Sequence, residues 1–296
     1  MHFKEVKGIL SKSNGMNLCR GCVHGCIYCD SRSKCYEINH DFEDVEIKIN
    51  APALLEDRLK RKRQRCMIGT GAMSDPYIPI PESLAVTREC LEIIEKYGSG
   101  LAILTKSKLI LRDLDLLIKI NQKAKCIVQI TLTTFDEELC KIIEPNVSGT
   151  HERFEVLEIM RDNGIPTVVW LCPILPFIND TEENLRGILD YCVRAKVKGI
   201  LCFGIGMTLR EGDREHFYKN LDLHFPGLKE KYQKRYGLDY EVPSDNNNML
   251  MKIYHETCRA HNIISGTNEV FNYLNKADFI DGLSQKSNKT EQLSLF

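Results

Sequence analysis

The sequence predicts an α/β fold: a partial (β/α)6 TIM-type barrel with a C-terminal helical extension and a flexible tail. Three observations carry this reading. Short apolar runs alternate with longer runs of helical spacing. The short runs are apolar at nearly every position rather than at every second one, which marks parallel strands covered on both faces. Six such units fit into about 200 residues, the scale of an open barrel with its active groups on the loops after the strands. A doubly wound sheet is the alternative architecture.

Taken in order, residues 1–15 are a short polar lead broken by glycine, and MNLCRG (16–21) is the first strand. CMIGTG (66–71) is the second, and SLAVTRECLEIIEKYG (83–98) is its helix with a glycine stop. LAILTK (101–106) and LRDLDLLIKI (111–120) repeat the pair. CIVQITLTT (126–134) is rich in β-branched residues, and HERFEVLEIMRDNG (151–164) is a helix ended by Asn-Gly. PTVVWLCPIL (166–175), TEENLRGILDYCVRA (181–195) and KGILCFGIG (198–206) complete a barrel assigned to residues 16–213. From Arg214 the pattern turns charged and aromatic. Residues 214–275 read as an extension capping the barrel, helical over 247–273 with a break near Ile264–Thr267. Residues 276–296 are polar and weakly patterned, as a flexible tether is.

Composition narrows the function classes. Of 296 residues, 43% are hydrophobic, enough for a buried core and against global disorder. The net charge of -1 gives the whole chain no long-range pull on nucleic acid, so any such contact must use local patches. No apolar run approaches the roughly 20 residues of a membrane span, and the N-terminus lacks a signal-peptide pattern. A soluble, cytoplasmic protein is expected. Five of the 13 cysteines fall between Cys19 and Cys35, which reads as a metal site rather than a disulfide scaffold. The scattered ones, such as Cys126 and Cys192, read as small buried hydrophobes.

The string NLCRGCVHGCIYCDSRS (17–33) contains Cys22-x3-Cys26-x2-Cys29 just after a strand. Three thiolates on a tight loop can hold three irons of a [4Fe–4S] cubane and leave the fourth without a protein ligand. Gly21 and Gly25 let the loop wrap closely. Two zinc knuckles, Cys19-x2-Cys22 and Cys26-x2-Cys29, are the competing reading, although zinc pairs are usually set further apart. The ferredoxin pattern C-x2-C-x2-C-x3-C-P is absent. Cys19 and Cys35 flank the motif. Cys19 is expected to be buried, with extra ligation the lesser reading.

The cysteine string, with IGTGAMSDPYIPIPE, ILTKSKLILRDLDLL, ITLTTFDEELCKIIEPNVSGTHERFEVLEIMRDNGIPTVVWLCPILPFINDTEENL and PGLKEKYQKRYG, resembles the spore photoproduct lyase-like (DNA repair photolyase-like) branch of the radical S-adenosylmethionine (SAM) superfamily. The likeness spans about residues 16–240. It implies a partial barrel, a [4Fe–4S] cluster on Cys22, Cys26 and Cys29, and SAM chelated at the open iron. One electron then splits the sulfonium to methionine and a 5′-deoxyadenosyl radical that abstracts a substrate hydrogen. An electron donor such as flavodoxin or ferredoxin is implied as well. By the same resemblance Tyr28 lies beside the adenine, Ser74 and Asp75 bind the SAM amino group, Lys106 pairs with its carboxylate, and Thr131 and Thr133 bind the ribose. WLCPILPFIND (170–180) is the adenine-side loop. Ordinary turn, loop and strand roles are the alternatives at 74–75, 106, 131 and 133. One departure stands out: the lyase returns a hydrogen atom from a cysteine near the second strand end, where this chain reads AMSD (72–75). Cys172, Cys202 and Tyr77 are the candidate substitutes.

RLKRKRQR (58–65) places six cations in eight residues, read as a solvated helix with phosphate contact as the alternative. The chain ends QLSLF. A polar tether ending in Leu293, Leu295 and Phe296 matches the short peptide by which bacterial DNA repair and replication proteins dock into the sliding clamp. In that mode Gln292 bonds at the groove edge and the apolar side chains fill a pocket. The leading expectation is therefore a radical SAM enzyme acting on DNA, as in repair of a damaged base. Radical modification of RNA, a peptide or a small molecule is one alternative, and an Fe–S or zinc module without turnover is the other.

Overall fold

The computed structural model describes residues 1–279. Strands β1 (His2–Lys4), β2 (Gly15–Met16), β3 (Cys19–Arg20) and β4 (Glu46–Lys48) bracket the cysteine loop, and helix α1 (Ala51–Lys60) follows. The β/α repeat then runs β5 (Met67–Thr70), α2 (Pro81–Lys96), β6 (Gly100–Thr105), α3 (Leu114–Lys123), β7 (Cys126–Thr131), α4 (Glu137–Ile143), α5 (Thr150–Asp162), β8 (Thr167–Trp170), α6 (Glu182–Arg194) and β9 (Gly199–Leu201). The extension adds β10 (Gly206–Thr208), α7 (Asp213–His224), α8 (Leu228–Tyr236), β11 (Glu241–Pro243), α9 (Asn247–Ala260) and α10 (Thr267–Asn275).

The barrel sheet has six strands in the order β2-β5-β6-β7-β8-β9, and every neighbouring pair is parallel. Spatial order thus follows chain order, as a partial TIM-type barrel requires. A doubly wound sheet would reverse direction at a switch point. Among the described residues no helix is long and apolar enough to cross a membrane.

The apolar strands bury both faces. Leu101, Ile103, Val128, Ile130, Val169 and Ile200 pack outward against the helices. Ala102, Ile127, Val168 and Leu201 face inward and meet Val270 and Leu274 of α10. The last helix therefore fills the barrel's interior. Beyond it, Lys125 at the start of β7 donates through Nζ to the carbonyls of Tyr273 (2.6 Å) and Lys276 (2.8 Å). Phe279 bridges to Ala124. Residues 276–279, expected to begin a tether, are thus hydrogen-bonded to the barrel. Gln292, Leu293, Leu295 and Phe296 lie outside the described residues.

Two local differences from the sequence reading have clear causes. The expected first strand is split: Gly15–Met16 pair with β5, whereas Cys19–Arg20 pair antiparallel with β4 in a separate three-stranded sheet, β1-β4-β3. The lead is thereby woven into the fold, with His2 opposite Glu46. The basic run precedes β5, at the N-terminal end of the barrel strands, and only its first residues are helical. Arg61 pairs with Asp57 at 2.8 Å, and Lys62 donates to Asn14.

Candidate active site

The C-terminal strand ends open into one cavity of about 760 Å³, within the range of small-molecule sites. Its lining includes Cys22, Cys26, Cys29, Tyr28, Ser74, Asp75, Lys106, Thr131 and Cys172. Tyr77, Thr133 and Cys202 are not in it. The Tyr77 ring is fully buried in the main core beside Asp113, which removes it as a hydrogen donor to the cavity. Thr133 is fully buried past the strand end, where its carbonyl accepts from the side-chain amides of Asn179 and Asn184, so it is not placed to meet a ribose. Cys202 is turned to the Gly204 carbonyl and the Met251 sulfur at 3.6 and 3.8 Å.

The cysteine loop is pinned by its backbone. Gly21 has φ +81°, and a Cβ there would overlap the Phe42 carbonyl oxygen. The Cys22 amide donates to that oxygen at 3.0 Å. All three thiols are pushed upward in pKa, first by burial; Cys22 also feels the charge of Cys29, and Cys26 that of both Cys29 and Cys22. Lys106 opposes this for Cys26 and Cys29. Among the described residues no three cysteine sulfurs lie within 4.8 Å of one another. Cys19 Sγ faces Ser83 Oγ at 3.3 Å, and Cys35 is exposed.

Asp75 and Ser74 are straps. Ser74 Oγ donates to the Gly21 carbonyl at 2.9 Å. Asp75 Oδ1 accepts from the Tyr77 amide (2.8 Å) and Thr105 Oγ1 (2.7 Å). Its Oδ2 accepts from the Lys106 amide (2.8 Å) and faces His24 Nε2 at 3.1 Å. These four partners match a carboxylate's acceptor capacity. Burial alone would raise the Asp75 pKa, but His24 and these donors hold it below the usual range. His24, inside the cysteine motif, thus ties the loop to the ends of β5 and β6; its Nδ1 faces the Asn146 carbonyl at 3.1 Å.

Beneath the loop lies a buried network that the sequence reading missed. Arg153 and Glu144 are fully buried, with Nη2–Oε2 at 2.5 Å. Tyr28 donates its hydroxyl to Glu144 Oε1, which fixes the ring in the cavity wall. Arg153 Nη1 donates to the Thr131 carbonyl at 2.8 Å. Lys106 Nζ sits 5.7 Å from the Tyr28 ring centroid. A signal existed: on α5, Arg153 shares the apolar stripe of Val156, Leu157 and Met160. His24 carried a signal too, as the one imidazole inside the motif.

Gly71 ends β5 at φ +98°, where a Cβ would overlap the Leu104 carbonyl oxygen. Gly71→Ala is therefore expected to cost about 2 kcal/mol or more, read as a lower urea midpoint. Gly69→Ala, with nothing within 4 Å, is the control that should stay near wild type.

Comparison with known proteins agrees with this geometry. An uncharacterized protein of Mycobacterium tuberculosis (strain ATCC 25618 / H37Rv) is 29% identical over 237 residues, covering 78% of this chain and 69% of that protein. One from Methanocaldococcus jannaschii is 35% identical over 164 residues, covering 55% and 60%. A doubly substituted spore photoproduct lyase with bound AdoMet and dinucleoside spore photoproduct has the same fold, with TM-score 0.60 at 15% identity over 84% of this chain and 74% of that one. A singly substituted form of that lyase reaches 0.62 at 14% identity, over 88% and 78%. The family model of the radical SAM superfamily matches residues 16–192. This chain belongs to the radical SAM superfamily, and its cofactors are a [4Fe–4S] cluster and S-adenosylmethionine.

Proposed function

We propose that this chain is a radical SAM enzyme that acts on DNA, in lyase-like repair of a damaged base. The observation that carries the enzymatic part is the gathering of Cys22, Cys26, Cys29, Lys106 and Thr131 in a single cavity at the C-terminal strand ends. The DNA part is supported by the dinucleoside spore photoproduct bound to lyases of the same fold and by the clamp-like QLSLF terminus. The sliding clamp and a flavodoxin or ferredoxin are the partners this reading entails.

Cys22, Cys26 and Cys29 hold the cluster, which when bound supplies the electron that splits SAM and so generates the hydrogen-abstracting radical. Lys106 presents its ammonium to the SAM carboxylate. Thr131 offers a hydroxyl to the ribose, and Tyr28, locked by Glu144, lies beside the adenine. Ser74 and Asp75 serve the SAM amino group through the loop they brace. Cys172 is the cavity-facing thiol among the three candidate donors. Burial pushes its pKa up to about 12, so at neutral pH it keeps its proton. A product radical can then take the Sγ hydrogen atom: the S–H bond breaks, a C–H bond forms, and the unpaired electron is left on sulfur.

Holoprotein reduced with dithionite is the test. With SAM and ultraviolet-irradiated DNA carrying deuterated thymidine, deuterium is expected in 5′-deoxyadenosine. Transfer from RNA and none from DNA would overturn the DNA assignment. In heavy water the wild type should place deuterium in the product through the exchangeable Cys172 thiol. Cys172→Ala should lose that label while SAM cleavage continues; a label undiminished in the variant would remove Cys172 from the mechanism.

A further inference from the structure

The geometry points to a stacking site at the cavity mouth, formed by Trp170 and Phe203, for a single unpaired nucleobase of the DNA strand. This inference rests on the DNA reading above. Phe203, after β9, is 60% exposed and lines the cavity. A large aromatic left in solvent at a site's rim marks a surface awaiting a partner. It is not a loose side chain: its centroid lies 6.2 Å from Trp170 and 6.3 Å from Phe271 of the interior helix. One side of the ring is thus fixed by packing while the rest stays open.

Trp170 has no polar group left to offer. Its indole N–H is donated to Gln129 Oε1 at 2.8 Å inside the barrel. On the same rim Tyr36 donates its hydroxyl to Asp30 at 2.7 Å, and Tyr240 accepts from Arg210 at 2.7 Å. The Arg210 guanidinium lies over both tyrosine rings, at 5.9 and 4.8 Å, and 3.7 Å from Asp30. The mouth therefore presents aromatic faces, with the indole N–H of Trp170 and the hydroxyl proton of Tyr36 spent internally and one arginine beside them. Such a surface recognises a flat ring by stacking rather than by its hydrogen-bonding edge, and the arginine suits the phosphate that accompanies a nucleotide. The depth of the same cavity is assigned to the cluster and SAM. A base held in a duplex has its faces covered by its stacked neighbours, so only an unpaired one can lie on these rings.

The test uses anaerobic holoprotein with SAM and fluorescence anisotropy of labelled DNA. Three duplexes are compared: one with a single unpaired thymidine, one with an abasic residue at that position, and one fully paired. Wild type should bind the unpaired thymidine most tightly. Phe203→Ala should weaken that complex about tenfold and leave the abasic complex unchanged. Phe203→Trp should retain wild-type affinity, and equal cluster absorbance in all three proteins confirms intact folds. An Ala variant that loses nothing, or loses the same factor on both bulges, overturns the stacking site while leaving the DNA reading in place. Failure of the wild type to bind any of the duplexes overturns the DNA reading, and the nucleobase assignment falls with it.

Discussion

Cys26→Ala protein, purified without oxygen, is expected to cleave no SAM and to lack the visible absorbance of an intact cluster. Cys26 is buried, lines the cavity and feels the charges of both Cys22 and Cys29. In the proposed cradle its removal would leave one iron of the cubane without a protein ligand. Cys22→Ala and Cys29→Ala should behave alike. Cys19→Ala and Cys35→Ala are the controls: Cys19 is spent on Ser83 in the strand packing, and Cys35 is exposed beside Arg210. Full 5′-deoxyadenosine production by the Cys26 variant would dismantle the three-thiol cradle.

The second large effect is on stability. Glu144→Gln leaves the Arg153 guanidinium buried without its counter-charge, and breaking such a pair costs about 3–5 kcal/mol. A lower urea midpoint at neutral pH should report it. Replacing both partners, as Glu144→Leu with Arg153→Met, should recover part of the loss, because no charge is left unpaired, while the Tyr28 hydroxyl and the Thr131 carbonyl still lose their partners. The pH dependence has a definite sign. Burial would raise the Glu144 pKa, but Arg153, Lys106 and the Tyr28 hydroxyl outweigh it and hold it below the ordinary glutamate value. The pair's contribution is therefore complete above that ordinary value and is lost as pH falls through the depressed one. The Gln variant should lack this acid-side component. Glu144→Leu, which removes the acceptor of the Tyr28 hydroxyl altogether, should also bind SAM less tightly, since the Tyr28 ring loses its anchor.

Much of the scaffold could be read from residue order alone. Runs such as 101–106 and 126–131 are buried on both faces, so their uniform apolarity reports a parallel sheet directly. The cysteine spacing reports one wall of the cavity because three thiols on one loop are local in sequence. What escaped is non-local. Helix α4 is seven residues long, too short for a periodic signal. The Glu144–Arg153 pair looks like two ordinary surface charges until α4 and α5 fold over the loop. Asp75 was legible as a site residue. Its commitment to His24, Thr105 and Lys106 depended on three separate segments meeting. Cys172 and Cys202 look alike as thiols at strand ends, and only the turn of each side chain separates them.

The interior helix has a consequence for synthesis. Because each barrel strand lies beside its predecessor in the chain, the sheet can grow edgewise as the polypeptide leaves the ribosome. The inward faces of Ala102, Ile127, Val168 and Leu201 then stay uncovered until Val270 and Leu274, which follow all six strands in the chain, arrive to fill them. Stalled or truncated chains lacking α10 would expose that hollow greasy trough, and chaperone dependence and aggregation of such fragments should track the loss of this one late-arriving segment.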